Sequence, residues 1–233
     1  MWNSLISSYS KCGDLETSLK LFEEMPPRLI NARTFSNVLN ACYLQKGHLD
    51  VAFKLYNKMK EMKFPMDKYV WSAMIEACGI NTNLEKLNQI HQDVISSKRS
   101  LVSTVLNALL KAYLNCNEYR IPIDLFHKAS KNIVNSETWI LVLKICGASN
   151  NLKVLQQIHK ELLQSSEPIT TAIWNTLIRS YCKCKDLETS IKLFEEMPSQ
   201  LIDSKTFITL LYGFNQEIGY LEKALELFER MKK

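Results

Sequence analysis

Six glycines and six prolines in 233 residues leave little material for long loops or for the many tight turns of a β-protein. A helical chain with short connections is the first expectation. No apolar run approaches the ~18 residues that a membrane-spanning helix needs, so no membrane association is expected. Seven cysteines, an odd number with no dense framework around them, argue against a secreted disulfide scaffold and for a reducing compartment. There is no glycine-rich phosphate loop, no G-x-S-x-G turn and no pair of carboxylates set on separate strands. Neither catalysis nor a cofactor is therefore expected. No charged, apolar or Arg-rich leader precedes the first helical pattern. That pattern opens inside a unit that later copies show whole, so a fragment is expected, with its targeting signal upstream.

What remains is an ordinary globular balance, 46% hydrophobic and 23% charged, with a net charge of +5. The charge is compatible with a polyanionic partner and does not demand one.

Internal repetition organises the chain. Residues 2–26 read WNSLISSYSKCGDLETSLKLFEEMP and residues 174–198 read WNTLIRSYCKCKDLETSIKLFEEMP, identical at 20 of 25 positions. Diverged copies lie between them along one bulky row: Trp2, Phe35, Trp71, Leu106, Trp139, Trp174 and Phe207. The steps are 33, 36, 35, 33, 35 and 33 residues, and all four tryptophans fall on this row. About 20 residues later comes a second row, Phe22, Tyr56, His91, Phe126, His159, Phe194 and Phe228. Three residues further is a third, Met25, Met59, Val94, Ala129, Leu162, Met197 and Met231. In the first copy Trp2, Leu5, Ile6 and Tyr9 share one helical face, and Leu15, Leu19, Phe22 and Met25 repeat the spacing. Gly13 suits the end of the first helix, Asp14 the N-cap of the second, and the prolines at 26, 27 and 198 the stop after it.

A single helix hairpin cannot bury two stripes, whereas stacked neighbours can. The fold class expected is all-α, a right-handed α-solenoid of about seven helix-turn-helix repeats, a tetratricopeptide-like superhelix. Its units are 1–31, 32–67, 68–102, 103–135, 136–170, 171–203 and 204–233, the third and fifth being of a longer type. In the fourth unit Pro122 falls within the second helical pattern, so that helix is expected to kink or to start late, near Arg120 to Ile121.

Several residues invite a chemical reading and are better explained by packing. His91 and His159 stand on the aromatic row, each within Gln-Ile-His. His159-Lys160-Glu161 resembles the HxE of a zinc deaminase, but the CxxC that such a site requires is missing. Cys182 and Cys184 point to different faces of one helix. Cys42, Cys78 and Cys146 recur at one repeat position and Cys12, Cys116 and Cys184 at another, as small buried residues do. No metal site is expected.

Tetratricopeptide repeats want a small residue directly after the leucine of their first helix. The equivalent positions here are Ile6, Leu39, Ile75, Leu110, Leu143, Ile178 and Leu211. The Trp-Asn-x-Leu-Ile opening and Leu-Phe-Glu-Glu-Met close instead closely resemble a pentatricopeptide repeat, and the resemblance covers nearly the whole chain. The 35-residue units, ending QIHQDVISS and QIHKELLQSS, resemble the mixed long-and-short subclass. That subclass implies site recognition for cytidine-to-uridine editing in mitochondria or plastids, with other editing or processing proteins as partners. Members often end in a deaminase domain, and none is expected within these residues.

The resemblance further implies that two residues per unit read one base of single-stranded RNA. The first set is Asn3, Ser36, Ser72, Asn107, Ile140, Asn175 and Ile208. The second is Asn31, Asp67, Val102, Asn135, Thr170 and Asp203. In the family Asn with Asp prefers uridine, Asn with Asn cytidine, and Ser with Asp guanosine. The units then suggest C, G, unassigned, C or U, unassigned, U, from 5′ to 3′. Ile140 and Ile208 cannot hydrogen-bond a base, and Val102 and Thr170 are atypical partners. Independently of the family, Lys111, Lys144 and Arg179 lie four residues after Asn107, Ile140 and Asn175, on the same helical face. Lys11 and Lys183 stand one turn further along. Cations beside polar readers suit a nucleic-acid backbone. Sequence-selective RNA binding by a monomer is the leading expectation, and a protein-interaction scaffold is the alternative.

Overall fold

The computed structural model describes residues 1–44, 47–97, 101–215 and 219–231. Among them the regular structure is helical throughout: fourteen α-helices in seven pairs, an all-α solenoid of helix-turn-helix units. The chain divides into two compact bodies, residues 1–118 and 119–233. The first holds α1 (Trp2–Lys11), α2 (Leu15–Glu24), α3 (Ala32–Leu44), α4 (Leu49–Glu61), α5 (Lys68–Ile80), α6 (Leu84–Ser96) and α7 (Ser103–Asn115). The second holds α8 (Arg120–Lys128), α9 (Ser136–Ala148), α10 (Leu152–Leu163), α11 (Thr171–Lys183), α12 (Leu187–Glu196), α13 (Ser204–Phe214) and α14 (Leu221–Met231). Odd-numbered helices are the A helices of their units and even-numbered ones the B helices.

Within the first body α1, α3, α5 and α7 pack side by side, and within the second α9, α11 and α13 do the same. The aromatic rows explain why. The B-helix row of one unit meets the A-helix row of the next: Phe22 on Phe35 at 5.1 Å, Tyr56 on Trp71 at 6.0 Å, Phe126 on Trp139 at 5.1 Å and Phe194 on Phe207 at 5.4 Å between ring centroids. Each such ring pair adds roughly 0.5–1.5 kcal/mol to the area it buries. The large residues that a tetratricopeptide repeat would exclude, Ile6, Leu39, Ile75, Leu110, Leu143 and Ile178, are buried.

Helix starts follow local chemistry. Asp14 accepts from the Thr17 amide at 3.0 Å and Asp186 from that of Thr189 at 3.1 Å. Asn83 and Asn151 do the same for Lys86 and Val154, at 2.9 and 3.2 Å. Each cap is worth about 1 kcal/mol. Among the described residues, one between the A and B helices of each unit is in the left-handed region: Gly13, Gly47, Thr82, Asn117, Asn150, Lys185 and Gly219, with φ of 76, 95, 50, 56, 52, 61 and 101°. α8 starts at Arg120, which places Pro122 in its first turn, where no intrahelical amide is lost.

His91 and His159 pack as expected: their Nδ1 atoms lie 2.7 and 3.0 Å from the hydroxyls of Tyr113 and Tyr181, one A helix further on. The Tyr113 hydroxyl donates to Asn88 at 2.9 Å, so His91 Nδ1–H is the donor in the first pair. Two cysteines depart from the sequence reading. Cys12, expected to be buried, is exposed, and Cys116 is half-buried. Both are C-caps just beyond the last residue of their A helices, a position that does not fix burial, since Cys184 caps α11 in the same way and is buried. Leu5 and Tyr9, placed on the apolar face of α1, are also partly exposed.

Candidate nucleic-acid interface

The first set of proposed readers lies early on the A helices, and in the first body these positions are deep. Asn107 and Ser36 are buried, and Asn3 and Ser72 half-buried. Ser36 returns its hydroxyl to the Ala32 carbonyl at 3.1 Å. Asn3 is gripped through its backbone, where its carbonyl accepts from the Asn37 amide at 3.2 Å, while its side-chain Oδ1 is buried without a partner among the described residues.

The second set has a structural task that the sequence reading missed. Asn31 Oδ1 accepts from the amide and hydroxyl of Thr34 at 3.1 and 3.2 Å, at the head of α3. Asp67 caps α5 through the amides of Tyr69 and Val70, both at 2.9 Å. Asn135, Thr170 and Asp203 cap α9, α11 and α13. Val102 precedes α7 and supplies no side-chain cap. Asn and Asp are therefore favoured along this row by capping alone, whatever else they touch. The signal was available, since each of these residues directly precedes a helical pattern.

Three predicted residues from consecutive units meet in one open cleft of about 700 Å³: Asn31, Ser36 and Asp67. Arg33, Asn37, Asn40 and Tyr69 complete its lining together with Ala32. Arg33, Ser36 and Asn40 follow one another at i, i+3 and i+7, so α3 turns a single polar face to the cleft. The Tyr69 side of the cleft is an exposed ring, 64% accessible, with the Lys68 ammonium 5.1 Å from its centroid. Arg33 and Tyr69 were not singled out from the sequence, although the helical spacing from Ser36 and Ser72 would have located both.

In the second body the sixth unit's pair is in contact. Asn175 Nδ2 donates to Asp203 Oδ1 at 3.2 Å across 28 residues. Asp203 Oδ1 also accepts from the amide and hydroxyl of Thr206, both at 2.9 Å. Burial would raise the Asp203 carboxyl, but the hydrogen bonds from Thr206 and Asn175, with Lys205 nearby, hold it below the usual carboxylate range. An ionised carboxylate can only accept, so the Asn175 amide must turn its NH₂ toward it. Asn175 Oδ1 is thereby left buried, without a partner among the described residues. In the fifth unit Ile140 is half-buried.

Of the five proposed backbone contacts, Lys11 and Lys111 belong to the first body, and Lys144, Arg179 and Lys183 to the second. All five are exposed, and none takes part in an ion pair among the described residues. Lys144 on α9 and Arg179 on α11 occupy one register of adjacent packed helices. Arg179 is not idle: its guanidinium lies 5.7 Å from the centroid of Tyr212.

The residues with deaminase-like spacing are held elsewhere. His159 bonds Tyr181, and Glu161 accepts from Gln157 at 3.0 Å and lies 3.5 Å from His127. Among the described residues no three metal-ligating side chains gather, and no helix is long and apolar enough to cross a membrane.

Comparison with known proteins agrees with this architecture. The model of the "PPR repeat family" matches residues 31–79 and 169–216, and that of the "PPR repeat" residues 1–26 and 217–233. A mitochondrial pentatricopeptide repeat-containing protein of Arabidopsis thaliana is 27% identical over 99% of the chain and 35% of its own length. A chloroplastic one from the same plant is 25% identical over 99% of the chain and 25% of its own length. The chain thus spans about a third or less of these relatives. The crystal structure of the maize pentatricopeptide repeat protein PPR10 superposes with a TM-score of 0.83 at 19% identity, over 99% of this chain and 33% of that one. The same protein in complex with an 18-nt psaJ RNA element superposes with a TM-score of 0.56 at 17% identity, over 99% of this chain and 39% of that one.

Proposed function

Because the chain belongs to the pentatricopeptide repeat family, we propose that it binds single-stranded RNA, one base to a unit, in the units 1–31, 32–67, 68–102, 103–135, 136–170, 171–203 and 204–233. Pairs of side chains, one early on an A helix and one at the cap of the next, read the base edges. Asn3, Asn31, Ser36, Asp67, Ser72, Asn107, Asn135, Asn175 and Asp203 are the readers, and Lys11, Lys111, Lys144, Arg179 and Lys183 contact the backbone.

The observation that carries this reading is the cleft of the first body. There Ser36 and Asp67, residues 31 apart, meet a guanidinium and an exposed ring across an open polar space. Edge-bonding groups, a cation and a stacking surface together are what an unpaired nucleotide engages. The maize relative crystallised with RNA supports the same partner. The 35-residue units support the mixed long-and-short subclass, and with it a role in organellar RNA editing or processing. Relatives in mitochondria and chloroplasts support an organelle as the place of action.

A reciprocal exchange tests the pairing rule. Asn175→Thr shifts preference at the sixth unit's base from uridine towards guanosine, and Ser36→Asn shifts the second unit's from guanosine towards uridine. Each shift is on the order of 1–3 kcal/mol, typical of one well-read base. The measurement is competition among four RNAs that differ at one base of a site selected from a random pool. If both variants rank the four RNAs as the unaltered protein does, while all still bind, these residues are not readers. If the unaltered protein binds no single-stranded RNA, the scaffold reading takes its place.

A further inference from the structure

The seventh unit has no edge reader, since Ile208 stands where Asn175 stands one unit earlier. What α13 presents instead is apolar and open: Ile208 is 58% and Tyr212 47% exposed. Four residues apart, they share one face of the helix. Tyr212 holds the register of Lys144 on α9 and Arg179 on α11. α11 is packed between α9 and α13, and Arg179 is nevertheless exposed. That register is therefore open on a helix with a neighbour on either side.

Arg179 lies 5.7 Å from the Tyr212 ring centroid. A guanidinium over one part of a phenol ring orients it and leaves the rest of its face for another flat, polarisable partner. Lys183 follows Arg179 one turn further along α11, Lys144 holds the register of Arg179 on α9, and neither takes part in an ion pair among the described residues. An aromatic face among unneutralised cations suits a base attached to phosphates better than an apolar peptide, which would leave the three charges unanswered.

We infer that Tyr212, steadied by Arg179, is a stacking platform for one unpaired base. The seventh unit then holds the nucleotide following the one read by Asn175 and Asp203, through its face and without regard to its identity. The inference rests on the RNA-binding reading and adds to it a contact that contributes affinity without specificity.

The test is fluorescence anisotropy of single-stranded RNA carrying the selected site, titrated at several salt concentrations with the unaltered protein, Tyr212→Ala, Tyr212→Phe and Arg179→Ala. Tyr212→Ala weakens binding about 5- to 100-fold with an unchanged salt slope, because a stacked ring releases no counterion. Tyr212→Phe keeps the face and restores affinity to within about twofold, as stacking requires. Arg179→Ala lowers the log–log salt slope by about 0.7 if it also meets a phosphate. Four RNAs differing only at the nucleotide 3′ of the sixth unit's base bind the unaltered protein equally, and an abasic nucleotide there costs as much as Tyr212→Ala. Equal binding by Tyr212→Ala, failure of Tyr212→Phe to restore it, or a ranking of the four bases overturns the platform alone. Absence of RNA binding by the unaltered protein overturns the functional reading, and the platform with it.

Discussion

In the first and sixth units, Phe22 and Phe194 close the joint to the next unit edge-on against Phe35 and Phe207. In the third and fifth, His91 and His159 occupy that row and reach a tyrosine hydroxyl two turns further along the same next A helix. The A helices differ as well. Where the first and sixth units carry Ser10 and Cys182, the long units carry Gly79 and Gly147. A Cβ on Gly79 would stand 2.7 Å from Ala112 Cα, and one on Gly147 3.0 Å from Ser180 Cα. The long units thus combine close backbone approach with a polar bond, and the short ones rely on ring contacts. The difference follows the residues at these two positions and not unit length, since the 36-residue second unit closes on Trp71 through the ring of Tyr56.

Gly79→Ala breaks that distinction with the largest effect. The contact is to backbone, which cannot swing aside, so overpacking of about 1–3 kcal/mol is expected, with Gly147→Ala somewhat milder. Urea unfolding measures it, and a neutral Gly79→Ala would show that the joint is slack.

The histidines come next. His159→Phe leaves the buried Tyr181 hydroxyl without its one bond among the described residues, at a cost of about 1–3 kcal/mol. His91→Phe costs less, because Tyr113 keeps Asn88. Burial lowers the pKa of both rings below 6.5. The unfolded chain therefore takes up protons first, so stability is lost as pH falls from 6.5 through the lowered folded values. The double Phe variant should show a flatter fall over that window in thermal melts. An identical pH profile would remove the histidines from the account.

The smallest effect separates the near-identical units from each other. Gly13 and Lys185 hold the same left-handed position, with φ of 76 and 61°. Lysine there carries a steric penalty that glycine avoids. Lys185→Gly should stabilise by about 1 kcal/mol and Gly13→Lys destabilise by as much. Equal melting temperatures for all three proteins would refute the strain.

Much of the fold could be read from local chemistry: the two stripes, the Asp14 cap and the late start of α8 before Pro122 all depend on neighbours in sequence. The left-handed Thr82 and Lys185 could not, because the helix-turn-helix geometry imposes that conformation whatever residue stands there. Exposure of Cys12 depends on what covers a helix end, which repeat position does not specify. At the candidate site, the residue types followed from the repeat, but the Asn175–Asp203 contact joins residues 28 apart, and Tyr69 and Tyr212 gain meaning only from their exposure. Residue type alone does not reveal the capping duty of Asn31, Asp67, Asn135, Thr170 and Asp203, because a base reader and a helix cap call for the same few side chains; their place before a helical pattern does.

That coincidence bears on how such a chain changes over generations. Asn, Asp and Ser cap almost equally well and Thr only slightly less, within a few tenths of a kcal/mol, yet they present different donors and acceptors to a ligand. On the proposed reading of this row, mutation can move from one of these side chains to another and retune what a unit recognises at almost no cost to folding. Val102 marks the edge of that neutral path, where the cap and the polar contact are lost together. A solenoid built this way can acquire a new target by single steps, each of them a stable protein.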